Sequence, residues 1–241
     1  MSNIGNGNFV STFGGGGSGG GGGVSSVTIQ NTLYVAKNGD DTTGTRNDLT
    51  KPYLTIASAS ADASVGDCIY VFRGLYTETS ADTFVSNVYY YLEPNVEVGN
   101  DTNSLIADTE EQSKNIYIFG YGNLTCLMQG VIVLNNPSSN LRLQCNNIAS
   151  GFQIMVFAGQ KCEVDCQDIN FQGNGINYSG SGDSYINFNT CTSSNSALQT
   201  WLIQHQQGTL TIRGRTLTQD YARSGGLPFD VNMTAGEEEI Q

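Results

Sequence analysis

The feature that most narrows the folds open to this chain is a recurrence in its second half. Strand-like runs begin near Leu141, Cys162, Ile186 and Leu210, at intervals of 21, 24 and 24 residues, the signature of an internal repeat. Within each unit the apolar positions alternate: Leu141, Leu143 and Cys145; Cys162, Val164 and Cys166; Ile186 and Phe188; Leu210 and Ile212. Alternation of this kind sends one set of side chains to each face of a strand. A second strand follows in most units after a short polar corner, as in GVIVLNN, FQIMVF and ALQTWLIQ. A unit this small cannot bury its inward face alone, but stacked copies can. The expected object is a parallel β-helix whose coils lie about 4.8 Å apart, with inward side chains stacked in ladders, Cys145 over Cys166 among them. About eight coils between Leu33 and Gln219 would make a stack roughly 35 to 40 Å long. An antiparallel sandwich is the alternative for evenly spaced short strands.

The first half speaks the same dialect. LYVA, CIYVF, VYYYL and NIYIF are strand-like, and Gly, Asn, Asp and Ser fill the turns between runs. Only PYLTIASASADASV, at 52 to 65, reads as helical: Ile56, Ala59 and Ala63 share a face and Pro52 precedes them. A helix that occurs once, near the start, fits a coil cap better than a sandwich. The expected fold class is therefore all-β, a single-stranded right-handed parallel β-helix with a short N-terminal capping helix. Its expected divisions are a Gly-rich arm at 1–32, the β-helix at 33–222 and a tail at 223–241 ending in GEEEIQ.

Charge and cysteine bound the partners. Ten Lys and Arg against 22 Asp and Glu give a net charge of -12, which repels phosphate backbones and anionic bilayers, so no nucleic-acid partner is expected. No apolar run approaches the roughly 20 residues of a membrane span. The stretch MSNIGNGNFVSTF lacks the basic start and apolar core of a secretory signal, which points to synthesis in a cytoplasm. The cysteines are 68, 126, 145, 162, 166 and 191. Cys162 and Cys166 would stand roughly 13 Å apart along a strand, too far for a bridge, and no His lies nearby to suggest zinc. Reduced thiols acting as small core residues are expected.

The segment LYVAKNGDDTTGT, followed by KPYLTIASASADASVGDCIYVFRGLYTE, resembles the opening of pectate-lyase-like right-handed β-helix proteins over about residues 33 to 78. The resemblance implies that the NGDD loop leads into a helix capping the coil, and that Gly66-Asp67 turns the chain into the first full coil. It leaves function open, because that superfamily holds polysaccharide lyases, glycoside hydrolases, and viral or phage tailspikes and fibres.

Under the lyase reading, the resemblance implies an acidic cluster ligating calcium and an Arg or Lys base on one outer face. The candidates are Glu163, Asp165 and Asp168 with Arg142, and Lys161 nearby. The structural reading of the same residues is an Arg142–Glu163 cross-strand pair on a solvated face. The motifs of the pectin-hydrolysing branch are absent in their usual form, and the one His, His205, is flanked by Gln. Tyr89, Tyr90, Tyr91, Tyr117, Tyr121 and Trp201 offer a saccharide-stacking reading if exposed, with Tyr90 and Trp201 as the named candidates. Together these features lead us to expect a virion structural protein: a fibre, spike or minor capsid component. It would be anchored to capsid or tail proteins through residues 1–32, form a homotrimer and contact a host glycan, with no metal or other cofactor.

Overall fold

The computed structural model describes residues 29–79, 83–108, 112–151, 154–171, 176–193, 203–205, 209–219 and 229–234. Residues 1–28 of the expected Gly-rich arm and Trp201 lie outside the described residues, whereas Thr32, expected in the arm, belongs to β1. The chain runs β1 (Thr32–Val35), α1 (Ile56–Asp62), β2 (Cys68–Val71), β3 (Gly74–Thr77), β4 (Tyr89–Leu92), β5 (Val96–Asn100) and β6 (Ile106–Ala107). It continues through β7 (Asn115–Gly120), β8 (Asn123–Cys126), β9 (Ile132–Leu134), β10 (Asn140–Ser150), β11 (Met155–Phe157) and β12 (Lys161–Phe171). It closes with β13 (Ile176–Tyr178), β14 (Asp183–Ser193), β15 (Ile203–His205), β16 (Thr209–Gln219) and β17 (Phe229–Thr234).

These strands form a parallel β-helix. One ladder runs β1-β2-β4-β7-β10-β12-β14-β16 with every pairing parallel, a second joins β3, β5 and β8 to the later half of β10, and a third runs β6-β9-β11-β13-β15. The 11-residue strands β10, β12, β14 and β16 cover two faces at once, where earlier coils break the same path with a corner.

The column predicted from alternation is present. Leu33, Ile69, Tyr90, Ile118, Leu143, Val164, Ile186 and Ile212 are successive register partners, and the first seven are wholly buried. Cys145 lies opposite Cys166, as expected. The other faces supply parallel columns, such as Tyr76, Val98, Leu124, Ile148, Ile169 and Cys191. These columns meet in one continuous hydrophobic core, where truncating a Leu to Ala typically costs 2–5 kcal/mol.

The register corrects one expected spacing. Ile186 lies opposite Val164, not Cys162, and Leu210 lies opposite Ser184. The level expected to carry an apolar residue holds the buried Ser184, whose Oγ accepts from the Cys162 N–H at 2.8 Å and bonds the Tyr178 hydroxyl at 2.7 Å. Hydroxyl hydrogen bonding allows a polar residue to occupy an inward position.

The opening motif builds the cap. Asp41 accepts hydrogen bonds from the N–H groups of Leu54 and Thr55 and from the Thr55 hydroxyl, tying the NGDD loop to the start of α1. Gly39 in that loop leaves no room for a Cβ, which would stand 2.2 Å from the Tyr53 carbonyl oxygen. Thr55 caps α1 by accepting from the Ser58 N–H, and the buried Glu78 accepts from the N–H groups of Ile56 and Ala57. Gly66 takes φ +87°, and the buried Asp67 accepts from Asn31 and the Ser64 N–H while facing Arg46 at 3.3 Å. At the far end, β17 pairs antiparallel with β16. Part of the stretch expected as a tail is thus a strand, and it covers an edge that would otherwise present unpaired backbone groups. Among the described residues no helix is long and apolar enough to cross a membrane.

Candidate functional site

Alternation along β10 and β12 puts Leu141, Leu143, Cys162 and Val164 inside and turns Arg142, Glu163 and Asp165 outward. Arg142 and Glu163 are register partners, with Nε to Oε2 at 3.3 Å, an ion pair and not an aligned hydrogen bond. Lys161 Nζ reaches the other oxygen, Oε1, at 2.6 Å. Asp168 accepts a hydrogen bond from the Thr190 hydroxyl one coil on. The carboxyl pKa of Asp165 is raised by burial. The structure therefore brings Arg142, Glu163 and Lys161 together, while Asp168 is tied to Thr190. Glu163 thus has a cation against each of its oxygens. Among the described residues no group of three or more His, Cys, Asp or Glu is placed to hold a metal ion.

The aromatic expectation requires a correction. Tyr90 is wholly buried because it occupies the inward column between Ile69 and Ile118. Its hydroxyl bonds the Ser60 Oγ at 2.9 Å and accepts from the Val85 N–H at 2.8 Å, so it can stack no sugar. Its neighbours Tyr89 and Tyr91 face outward and join a ladder along the first face. Tyr70 stacks on Tyr91 with centroids 5.1 Å apart, Tyr89 on Tyr117 at 5.0 Å, and Tyr34 on Phe72 at 6.1 Å. Rings piled along the helix axis cover one another's faces, so this ladder consolidates the coils more than it offers free platforms.

Asparagine amides knit coils in the same way. Asn140 donates to Asn115 and Asn115 to Asn87, while Asn170 donates to Asn147.

Among the described residues, Tyr121 lies outside the ladder. Tyr121 sits at the corner between β7 and β8 with 57% of its surface exposed. Gly120 adopts φ +114°, where a Cβ would come within 2.1 Å of the Leu92 carbonyl oxygen, and a Cβ on Gly122 would press on the Leu92 side chain at 2.7 Å. These two glycines let the corner cross tightly over Leu92, and the Tyr121 N–H donates to the Leu92 carbonyl at 3.0 Å. Below the ring the preceding coil turns at Pro94-Asn95, with Asn95 at φ +66°. Pro94, Asn95, Tyr121, Asn123 and Asn146 line a shallow cleft of about 380 Å³. Asn146 Nδ2 donates to Asn123 Oδ1 at 3.0 Å. Tyr121 is among the aromatics that the sequence offers for sugar stacking, and its place in a Gly-Tyr-Gly corner sets it apart from the others.

Compared with known proteins, the chain matches no family model, no curated protein and no solved structure.

Proposed function

We propose that this chain is a virion structural protein, a fibre, spike or minor capsid or decoration component, that presents its coil as a rigid rod. The observation that supports it best is the employment of the outward side chains. Glu163 bridges Arg142 and Lys161, Asp168 is bound by Thr190, and stacked rings and amides join coil to coil. An exterior built this way stiffens a rod and engages the Glu163 and Asp168 carboxylates in contacts between and along coils. The Gly-rich composition of the arm at 1–32 suits threading into capsid or tail proteins, since glycine's freedom of backbone lets a chain follow a narrow path between others. The likeness of residues 33 to 78 to pectate-lyase-like β-helix proteins, which include tailspikes and fibres, agrees with this role. In this reading the half-buried outer rings Tyr34, Tyr70, Tyr91 and Phe119 pack against sister subunits in a homotrimer.

The test is the mass of the full chain by light scattering, beside that of a chain lacking residues 1–28, which leaves β1 and the Asn31 bond to Asp67 intact. A trimer that enters larger particles only with its arm is expected; a monomer that joins nothing overturns the proposal. The rival, a lyase or hydrolase acting on an acidic polysaccharide, rests on the raised pKa of Asp165. Turnover of polygalacturonate that disappears in Glu163→Gln or Asp165→Asn would establish that rival.

A further inference from the structure

We infer that the Tyr121 corner is a binding subsite for a neutral saccharide. This goes beyond the structural role and does not depend on it. Three observations converge on the cleft. First, Tyr121 offers a free ring face: it is 57% exposed, and no other aromatic ring stacks on it among the described residues. The apolar C–H face of a pyranose packs on such a ring, an amphipathic platform that costs little conformational entropy to order. Second, the amide pair beneath is half satisfied. The bond from Asn146 Nδ2 to Asn123 Oδ1 leaves Asn146 Oδ1 as an acceptor and Asn123 Nδ2 as a donor, with no protein partner among the described residues. A donor beside an acceptor is the complement of two neighbouring ring hydroxyls, each of which both gives and takes a hydrogen bond. Third, none of the five lining residues is charged, and a chain of net charge -12 repels an acidic glycan. A neutral sugar is thereby favoured over a uronate.

The corner is also held in place. Glycines at 120 and 122 fix its path over Leu92, and the Asn146 N–H donates to the Gly122 carbonyl at 2.8 Å. The ring therefore stands on the rigid coil, so binding needs little ordering of the protein. One ring over an open cleft also argues against a proline-rich peptide, which seeks a groove lined by several aromatics.

Saturation-transfer NMR and calorimetry on the full chain test this with maltohexaose, cellohexaose and a mannohexaose as neutral probes. Oligogalacturonate and a proline-rich decapeptide serve as contrasts. We expect at least one neutral hexasaccharide to bind with millimolar affinity, Tyr121→Ala to weaken it at least tenfold, and Tyr121→Phe to keep it within about threefold, since the ring face and not the hydroxyl makes the contact. Tyr34→Ala, on the stacked ladder, should leave binding unchanged. Tyr121 is surface-exposed, so an unaltered melting temperature for Tyr121→Ala shows that folding is intact. The inference is overturned if none of the neutral probes binds, if binding survives Tyr121→Ala, or if only the oligogalacturonate or the peptide is taken up.

Discussion

Cys166 lies directly opposite Cys145 across the β10–β12 ladder, with both thiols buried and unbridged. Burial pushes both thiols well above the ordinary value, with Cys145 and Cys191 adding repulsion at Cys166. Cys68 and Cys191 are pushed up to about 12 and Cys126 to about 11, chiefly by the same desolvation. The folded state thus keeps protons that the unfolded chain releases above about pH 8.5, the ordinary thiol value. Stability is full below that pH and declines as pH rises towards the folded values, by up to about 1.4 kcal/mol per pH unit for each such thiol. The melting temperature is expected to fall steadily from pH 9 to 11 and to be indifferent to reductant. A flat profile, or thiols that label quickly in the native state, contradicts this account.

Tyr89, Tyr90 and Tyr91 separate the two sides of one strand. Tyr90→Phe removes the group that accepts from the Val85 N–H and bonds Ser60, leaving a backbone donor in the interior without that partner. A loss of about 1–3 kcal/mol is expected in urea unfolding. Tyr89→Phe keeps the ring that stacks on Tyr117 and is expected to change stability by less than about 0.5 kcal/mol. Equal effects from the two substitutions would mean that the strand's faces are misassigned.

The inward column was legible because Leu, Ile, Val and Cys alternate with polar residues, and a period of two leaves no freedom in which face is buried. Arg142 and Glu163 were readable as partners because Leu141 and Cys162 set the offset between neighbouring coils. Ser184 was not, since its place inside depends on Tyr178, which reaches it from another face of the coil. An apolar rule therefore slid the repeat to Ile186. Tyr90 was misjudged as a sugar platform because its hydroxyl partner Ser60 sits on the cap, more than one coil away in sequence. Tyr121 was legible only as one aromatic among several, because corners have no period; the close backbone crossing at Gly120 that places it shows only once Leu92 is known to lie beside it.

Glu78 joins the cap to the first coil. Its buried carboxyl accepts from the N–H groups of Ile56 and Ala57 at 2.9 and 3.3 Å, and desolvation raises its pKa despite those two bonds. A raised carboxyl pKa means that stability is full below the ordinary value near pH 4.3 and declines as the pH climbs through the folded pKa. Glu78→Gln keeps an acceptor oxygen without a charge to desolvate, and is expected to melt at or slightly above the parent temperature at pH 7. Glu78→Ala orphans both N–H groups and should cost about 1–3 kcal/mol. A Gln variant as damaged as the Ala variant would show that the charge itself holds the cap.

Gly120 is the residue on which the Tyr121 corner turns. At φ +114° an L side chain is strained, and its Cβ would lie 2.1 Å from the Leu92 carbonyl oxygen, a backbone atom with little room to retreat. Gly120→Ala must therefore move either the corner or the strand Tyr89–Leu92 beneath it, and a cost of at least about 2 kcal/mol is expected in urea unfolding. The Tyr121 N–H bond to Leu92 should open at the same time, seen as loss of hydrogen-exchange protection at residue 121 while the Tyr89–Leu92 amides stay protected. Gly99→Ala provides the contrast: its Cβ would meet only the Thr125 carbonyl oxygen at 4.0 Å, and a change below about 1 kcal/mol is expected. If Gly120→Ala is as well tolerated as Gly99→Ala, the corner does not cross over Leu92, and the presentation of the Tyr121 ring loses its physical basis.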